Sequence, residues 1–186
     1  QKEAFGDFAS PETYFPRVTP ESEGISSEKL TQMLRELAAA RHTDMHHLLV
    51  LRNGQVICEC NFAPYRSGIW HATYSMCKSI TGMAVGFLIS EGKLSLDENV
   101  YDIFEKRNGL LQKILRPNLT VEHLLTMKSG VQFNEMGVVS GNDWVDSFLN
   151  APVKGTPGEA FEYNSMNTYL LSAIIQERTG MKMVDY

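Results

Sequence analysis

The chain has 186 residues, 43% of them apolar and 21% charged, with a net charge of −5 at neutral pH, enough for one domain with a sizeable core. The acidic balance with no basic stripe argues against a nucleic-acid partner. The longest apolar run, 80–89, is too short for a membrane span. Three cysteines cannot all pair within the chain. Cys58 and Cys60 alternate on a strand, too close for an ordinary disulfide, and Cys77 falls inside a helix. Free thiols fit a reducing, cytoplasmic compartment slightly better than an oxidising one. Gln1 stands where an initiating Met would, so the lack of a leader carries no information. No Cys-x-x-Cys pair or clustered His spacing suggests a metal, and no cofactor is expected.

Residues 1–20, with Pro11, Pro16 and Pro20, read as an extended arm. Leu30, Met33, Leu34, Leu37 and Ala38 then recur as one face of an amphipathic helix, suited to cover a sheet. His47–Arg52 and Gln55–Cys60 flank Asn53-Gly54, the residue pair that supplies the positive φ angles of a type I′ turn, and predict a β-hairpin. A helix is expected from Ser75 to Glu91, with Met76, Ile80, Met83, Ala84, Phe87 and Leu88 at helical spacing and Gly92 as its stop. A short helix follows near 101–104. Thr120 is a suitable N-cap for a helix over Val121–Lys128, which also accounts for the Asn118-Leu119-Thr120 sequon. Asp143–Leu149 forms another short helix. After the turn-rich loop 157–165, Met166, Tyr169, Leu170, Ala173 and Ile174 mark a last amphipathic helix ending at Gly180.

Chemistry concentrates at Ser75. Serine needs a base within hydrogen-bond reach to act as a nucleophile, and Lys78 lies one turn on. A lysine can be that base only where burial or nearby cations hold it neutral. Free N–H groups in the first turn of a helix favour an oxyanion. Ser-x-x-Lys alone is common, and the chain holds it three times. Ser26–Lys29 opens a helix with a solvated polar face, and Ser90–Lys93 sits at a helix end. Only Ser75 leads into an apolar helix. The chain has no Gly-x-Ser-x-Gly elbow and no His-Glu-x-x-His pair.

The order of these elements, with Tyr74-Ser75-Met76-Cys77-Lys78-Ser79, Glu91-Gly92-Lys93-Leu94-Ser95-Leu96-Asp97, Leu124-Leu125-Thr126-Met127-Lys128-Ser129-Gly130 and Pro157-Gly158-Glu159-Ala160-Phe161-Glu162-Tyr163, resembles the class C β-lactamase and penicillin-binding-protein-like serine hydrolases. That family includes D-Ala-D-Ala peptidases, esterases and 6-aminohexanoate-oligomer hydrolases, and the resemblance runs from about Thr19 to the last residue. It implies Ser75 as the acylated nucleophile, Lys78 as the group sharing its proton, and Tyr163 as the proton shuttle for leaving group and water. A phenol with a pKa near ~10 is a useful base only beside a cation. Ser165 stands where the family's Tyr-x-Asn has its Asn, and Asn167 follows two residues on; both are expected to contact substrate. The Lys-Thr-Gly or His-x-Gly strand of the family, which lines the site and gives the second oxyanion N–H, is not found in the 186 residues.

The expected fold is a mixed α/β, β-lactamase/transpeptidase-like one, with an antiparallel sheet covered by helices, a helical subdomain, and C-terminal strands missing. The expected division is an arm over 1–20, the first part of the sheet domain over 21–74, and the nucleophile helix with the helical subdomain over 75–186. The expected activity is a serine hydrolase forming an acyl-enzyme on a small amide or ester. The alternatives are a true β-lactamase or D-Ala-D-Ala peptidase, and an inactive or scaffolding homologue. An open sheet edge also makes homodimerisation an expectation, with weak catalysis by the chain alone.

Overall fold

In a computed structural model of the chain, Asn53 and Gly54 take φ values of 49° and 76°, the left-handed pair that a type I′ turn demands. The turn joins β1 (His47–Arg52) to β2 (Gln55–Asn61) as an antiparallel pair with a bulge opposite Val50 and Leu51. The structure describes residues 15–107, 116–132 and 142–186. The arm expected over 1–20 therefore lies mostly outside the described residues. Its last part does more than extend: Arg17 bridges Val56 in parallel, through hydrogen bonds from Val56 N–H to Pro16 C=O (2.8 Å) and from Val18 N–H to Val56 C=O (3.1 Å). Arg17 also pairs with Glu59 on the same strand. The amphipathic helix is α1 (Ser27–Ala39), whose N-cap Ser26 accepts from Lys29 N–H. Its residues Leu30, Met33, Leu34 and Leu37 are half-buried, and none is fully buried.

The chain divides into two units between Ala72 and Thr73. The second begins with a 3-10 turn, Tyr74–Met76, that runs into α2 (Cys77–Ser90). The short elements α3 (Val100–Ile103), α4 (Val121–Leu125) and α5 (Trp144–Asn150) follow, and then α6 (Ser165–Thr179). Thr120 caps α4 as expected, and His123 completes a reciprocal capping box by accepting from the Thr120 N–H. The helix stops at Leu125, short of the expected Lys128. Met127 ends it by taking φ 55°, a value that a helix cannot continue through. Asn164 and Gly180 cap α6 at its two ends.

A hub at α6 holds this unit together. Leu170, Leu171, Ile174 and Ile175 are buried among Val85 and Leu88 of α2, Val121 and Leu124 of α4, and Val145, Phe148 and Leu149 of α5. Its buried apolar positions, Met166, Leu170, Leu171, Ile174 and Ile175, recur at helical spacing as one core-facing side, whereas Gln176, Glu177 and Arg178 stay exposed. No helix among the described residues is long and apolar enough to cross a membrane.

Two expectations about α2 need correction. The α-helix starts at Cys77, not at Ser75, because Tyr74 at φ 45° opens a 3-10 turn instead. Only part of the expected stripe is buried. Leu88 faces the core together with Thr81 and Val85, and Ala84 packs against that core, whereas Met76, Ile80, Met83 and Phe87 are 57–73% exposed. The run 80–89 is apolar around its circumference, so spacing alone could not choose between the two stripes. Packing against α6 makes the choice.

Candidate active site

Ser75 lies in the middle of the 3-10 turn. In such a turn the side chains at i and i+3 eclipse, which sets Lys78 directly against it: the Lys78 ammonium donates to Ser75 Oγ at 3.0 Å. Ser75 is exposed, and Lys78 is half-buried.

Tyr163 reaches the same oxygen from a segment 88 residues away in sequence, its hydroxyl donating to Ser75 Oγ at 2.7 Å. The Lys78 ammonium also sits 5.2 Å from the centre of the Tyr163 ring. Three groups named from sequence thus form one cluster. The Tyr163 phenol is held below its usual value, chiefly by its hydrogen bond with Lys78, then by the one with Ser75, the Lys78 charge and a hydrogen bond with Ser165. A cation and donors that favour the phenolate are what a tyrosine base needs. The ring is 45% exposed, so the cluster opens to solvent and to a ligand.

Ser165, the first residue of α6, sits beside this cluster through its bond to Tyr163. Asn167 does not. It is fully buried, its Oδ1 accepts from Ser129 Oγ at 2.8 Å, and its Nδ2 points to Met127 Sδ at 3.6 Å. A helix turns about 100° per residue, so two residues beyond Ser165 the side chain faces the core rather than the ligand. The expected substrate contact at Asn167 is corrected to a core position.

The loop before Tyr163 is laid out by a strip that the sequence marks as a helix end and as part of a family-resembling piece, with no link to the tyrosine. Glu162 N–H donates to Met127 C=O (2.9 Å), Gly158 N–H to Lys128 C=O (2.8 Å), Lys154 N–H to Gly130 C=O (2.8 Å) and Gln132 N–H to Pro152 C=O (2.9 Å). Gly158 lies at φ 95°, and a Cβ there would stand 2.8 Å from His123 Nε2. Gly158→Ala is therefore expected to destabilise the protein by about 1–3 kcal/mol, the range for a backbone forced into such a region, read from urea unfolding. An unchanged midpoint would show that the loop can move off His123. Asn164 is the other group that sequence reading missed. It is buried, accepts from Met166 N–H and donates to Val131 C=O, both at 2.9 Å. An Asn directly before a helical run is a capping signal that could have found it.

Known proteins agree with this architecture. A beta-lactamase family model matches residues 30–186. The chain is 26% identical over 174 residues to Esterase EstB of Burkholderia gladioli, covering 82% of this chain and 44% of the esterase. Among solved structures, a penicillin-binding protein homologue from Caulobacter crescentus superposes with a TM-score of 0.67 at 19% identity, over 89% of this chain and 46% of that one. The octameric penicillin-binding protein homologue from Pyrococcus abyssi gives a TM-score of 0.63 at 26% identity, over 87% and 41%. The chain spans less than half the length of each of these relatives. With its fold shared by penicillin-binding protein homologues and the family model matched over 30–186, the chain belongs to the beta-lactamase family.

Proposed function

We propose that the chain carries the catalytic cluster of a serine hydrolase that acts on an amide or ester through an acyl-enzyme. The observation that carries this reading is the convergence of Lys78 Nζ and Tyr163 OH on Ser75 Oγ, at 3.0 and 2.7 Å. The Ser75 hydroxyl loses its proton to the phenolate oxygen of Tyr163 as Oγ attacks the substrate carbonyl carbon. The backbone N–H of Ser75 lends its partial positive charge to the oxyanion that forms. Collapse of the tetrahedral adduct expels the amine or alkoxide, which takes the proton from Tyr163 and leaves the acyl group on Ser75. A water then gives its proton to Tyr163 and attacks the ester carbonyl, and Ser75 departs and recovers its hydrogen. Throughout, the Lys78 cation stabilises the phenolate and passes hydrogen bonds between the two hydroxyls. Ser165, bonded to Tyr163, is the proposed substrate contact beside the cluster.

An ester is the favoured substrate class. A relative that shares 26% identity over most of this chain is an esterase, and Ser165 offers a smaller, less directional partner to a substrate amide than an Asn would. A panel of p-nitrophenyl esters, a D-Ala-D-Ala peptide and nitrocefin tests this, run on the longest available form of the protein. Turnover of the esters ahead of the other two is expected. Preferential nitrocefin hydrolysis would replace the ester reading with that of a β-lactamase proper, and a wild-type protein that no serine reagent labels would overturn the hydrolase reading.

A further inference from the structure

Tyr163 is held in place on both sides by one short strip of backbone. Its predecessor, Glu162, donates its N–H to Met127 C=O (2.9 Å), and the side chain of its successor, Asn164, donates to Val131 C=O (2.9 Å). The position of the phenol oxygen over Ser75 is therefore set by the shape of the strip 127–132 and by how that strip is fixed to α6.

Inside the strip sits Ser129, buried like Asn167. Ser129 Oγ accepts from Val131 N–H at 3.3 Å and donates to Asn167 Oδ1 at 2.8 Å, and Asn167 Nδ2 turns back to Met127 Sδ at 3.6 Å. The two residues whose carbonyls hold Glu162 and Asn164 are thus each touched by this buried pair. Apolar side chains would fill the same space with no polar group to desolvate. A hydroxyl facing an amide adds something apolar packing lacks, a fixed distance and direction between two segments.

We infer that Ser129 and Asn167 are positioning residues for Tyr163: their hydrogen bond locks the 127–132 strip onto α6, and through Glu162 and Asn164 it holds the phenol within bonding distance of Ser75 and Lys78. The inference rests on the reading of Tyr163 as the proton-transfer group, but part of its test is independent of activity. Neither residue touches substrate, and both act through the backbone carbonyls that they orient.

The test uses Ser129→Ala and the double variant Ser129→Ala/Asn167→Leu. The double variant removes the Ser129–Asn167 pair together, so that the buried Asn167 amide is not left facing an apolar side chain if the single change unfolds the protein. Protein labelled at the tyrosine ring carbon that bears oxygen is titrated by NMR, with the Tyr163 signal assigned from its loss in Tyr163→Phe. In the wild type, Tyr163 should ionise below a free phenol. In the variants its titration should move up toward that of a free phenol, as contact with Lys78 and Ser75 loosens. Acylation by a fluorophosphonate should slow about 100-fold, the scale for a reacting group displaced by an ångström, with KM for an ester unchanged and the circular dichroism intact. A Tyr163 titration identical to wild type in a folded variant would overturn the inference. An upward shift in a protein whose wild type takes no fluorophosphonate would support the positioning role and overturn the catalytic reading alone.

Discussion

Ser75→Ala should abolish covalent labelling by a fluorophosphonate or a β-lactam, and turnover of any accepted ester should fall on the scale of about 10⁶-fold seen when a serine nucleophile is taken out of a coupled catalytic unit. The side chain is exposed and packs against nothing in the core, so the fold should be untouched and thermal melting should not change. Among the described residues, only Ser75 combines a lysine at 3.0 Å with a tyrosine hydroxyl at 2.7 Å. The Ser-x-x-Lys pairs at Ser26 and Ser90 serve other ends: Ser26 caps α1, and Ser90 Oγ bonds back to Phe87 C=O. Intact-protein mass spectrometry decides the matter, and an adduct that survives Ser75→Ala would move the nucleophile elsewhere.

Lys78→Met should reduce acylation by about 10²–10⁴, the range for losing a positioned proton-transfer partner, and should move the pH profile in a defined direction. On the proposed mechanism, the form of Tyr163 that takes the Ser75 proton is the phenolate. Lys78 is the largest cause holding the Tyr163 value below that of an ordinary phenol. Without it the value rises, the phenolate fraction at any pH below it falls tenfold per unit, and the rising limb of the rate profile shifts to higher pH. Lys78→Arg separates two roles that the distances alone combine. Arginine keeps the cation but cannot give up a proton near neutrality. If the charge beside the phenol is what matters, Lys78→Arg should retain more activity than Lys78→Met and a less shifted profile. If Lys78 itself accepts the proton, the two variants should be equally poor. A Lys78→Met enzyme with wild-type rates and an unmoved profile would remove Lys78 from the mechanism.

What was legible in the sequence was local. Asn53-Gly54 dictates its turn by backbone chemistry alone, and the hairpin follows with the expected strand limits to within a residue. Thr120 caps its helix because a side-chain oxygen three residues before an N–H can do little else in that setting. Asp143, read as the first residue of its helix, is the N-cap before it. Ser75 and Lys78 come together for the same reason, being one turn apart. Tyr163 was placed by family resemblance, since nothing in spacing can say that a loop returns to a helix far upstream. The misreadings share a cause. The exposed stripe of α2 and the buried Asn167 both depend on which side of a helix meets its neighbour, a question settled by α6 and its packing partners rather than by either segment alone. Ser129 stood in a family-resembling piece and a helix-ending Lys-Ser-Gly, neither of which pairs it with Asn167, and that contact emerges only once Asn167 is opposite it.

The hydrogen bond between Ser75 and Tyr163 joins residues 88 positions apart, which ties activity to folding kinetics. Closing a loop of that size costs about 2 kcal/mol more than closing one of ten residues, and contacts of high sequence separation form slowly. Ser75 and Lys78 can meet as soon as α2 winds, whereas the phenol joins them only after α6 has docked. A refolding chain should therefore recover helical circular dichroism before it recovers reactivity toward a serine reagent. The interval between the two signals would time the docking of α6, making Ser75 a reporter of the last step of assembly in its own unit.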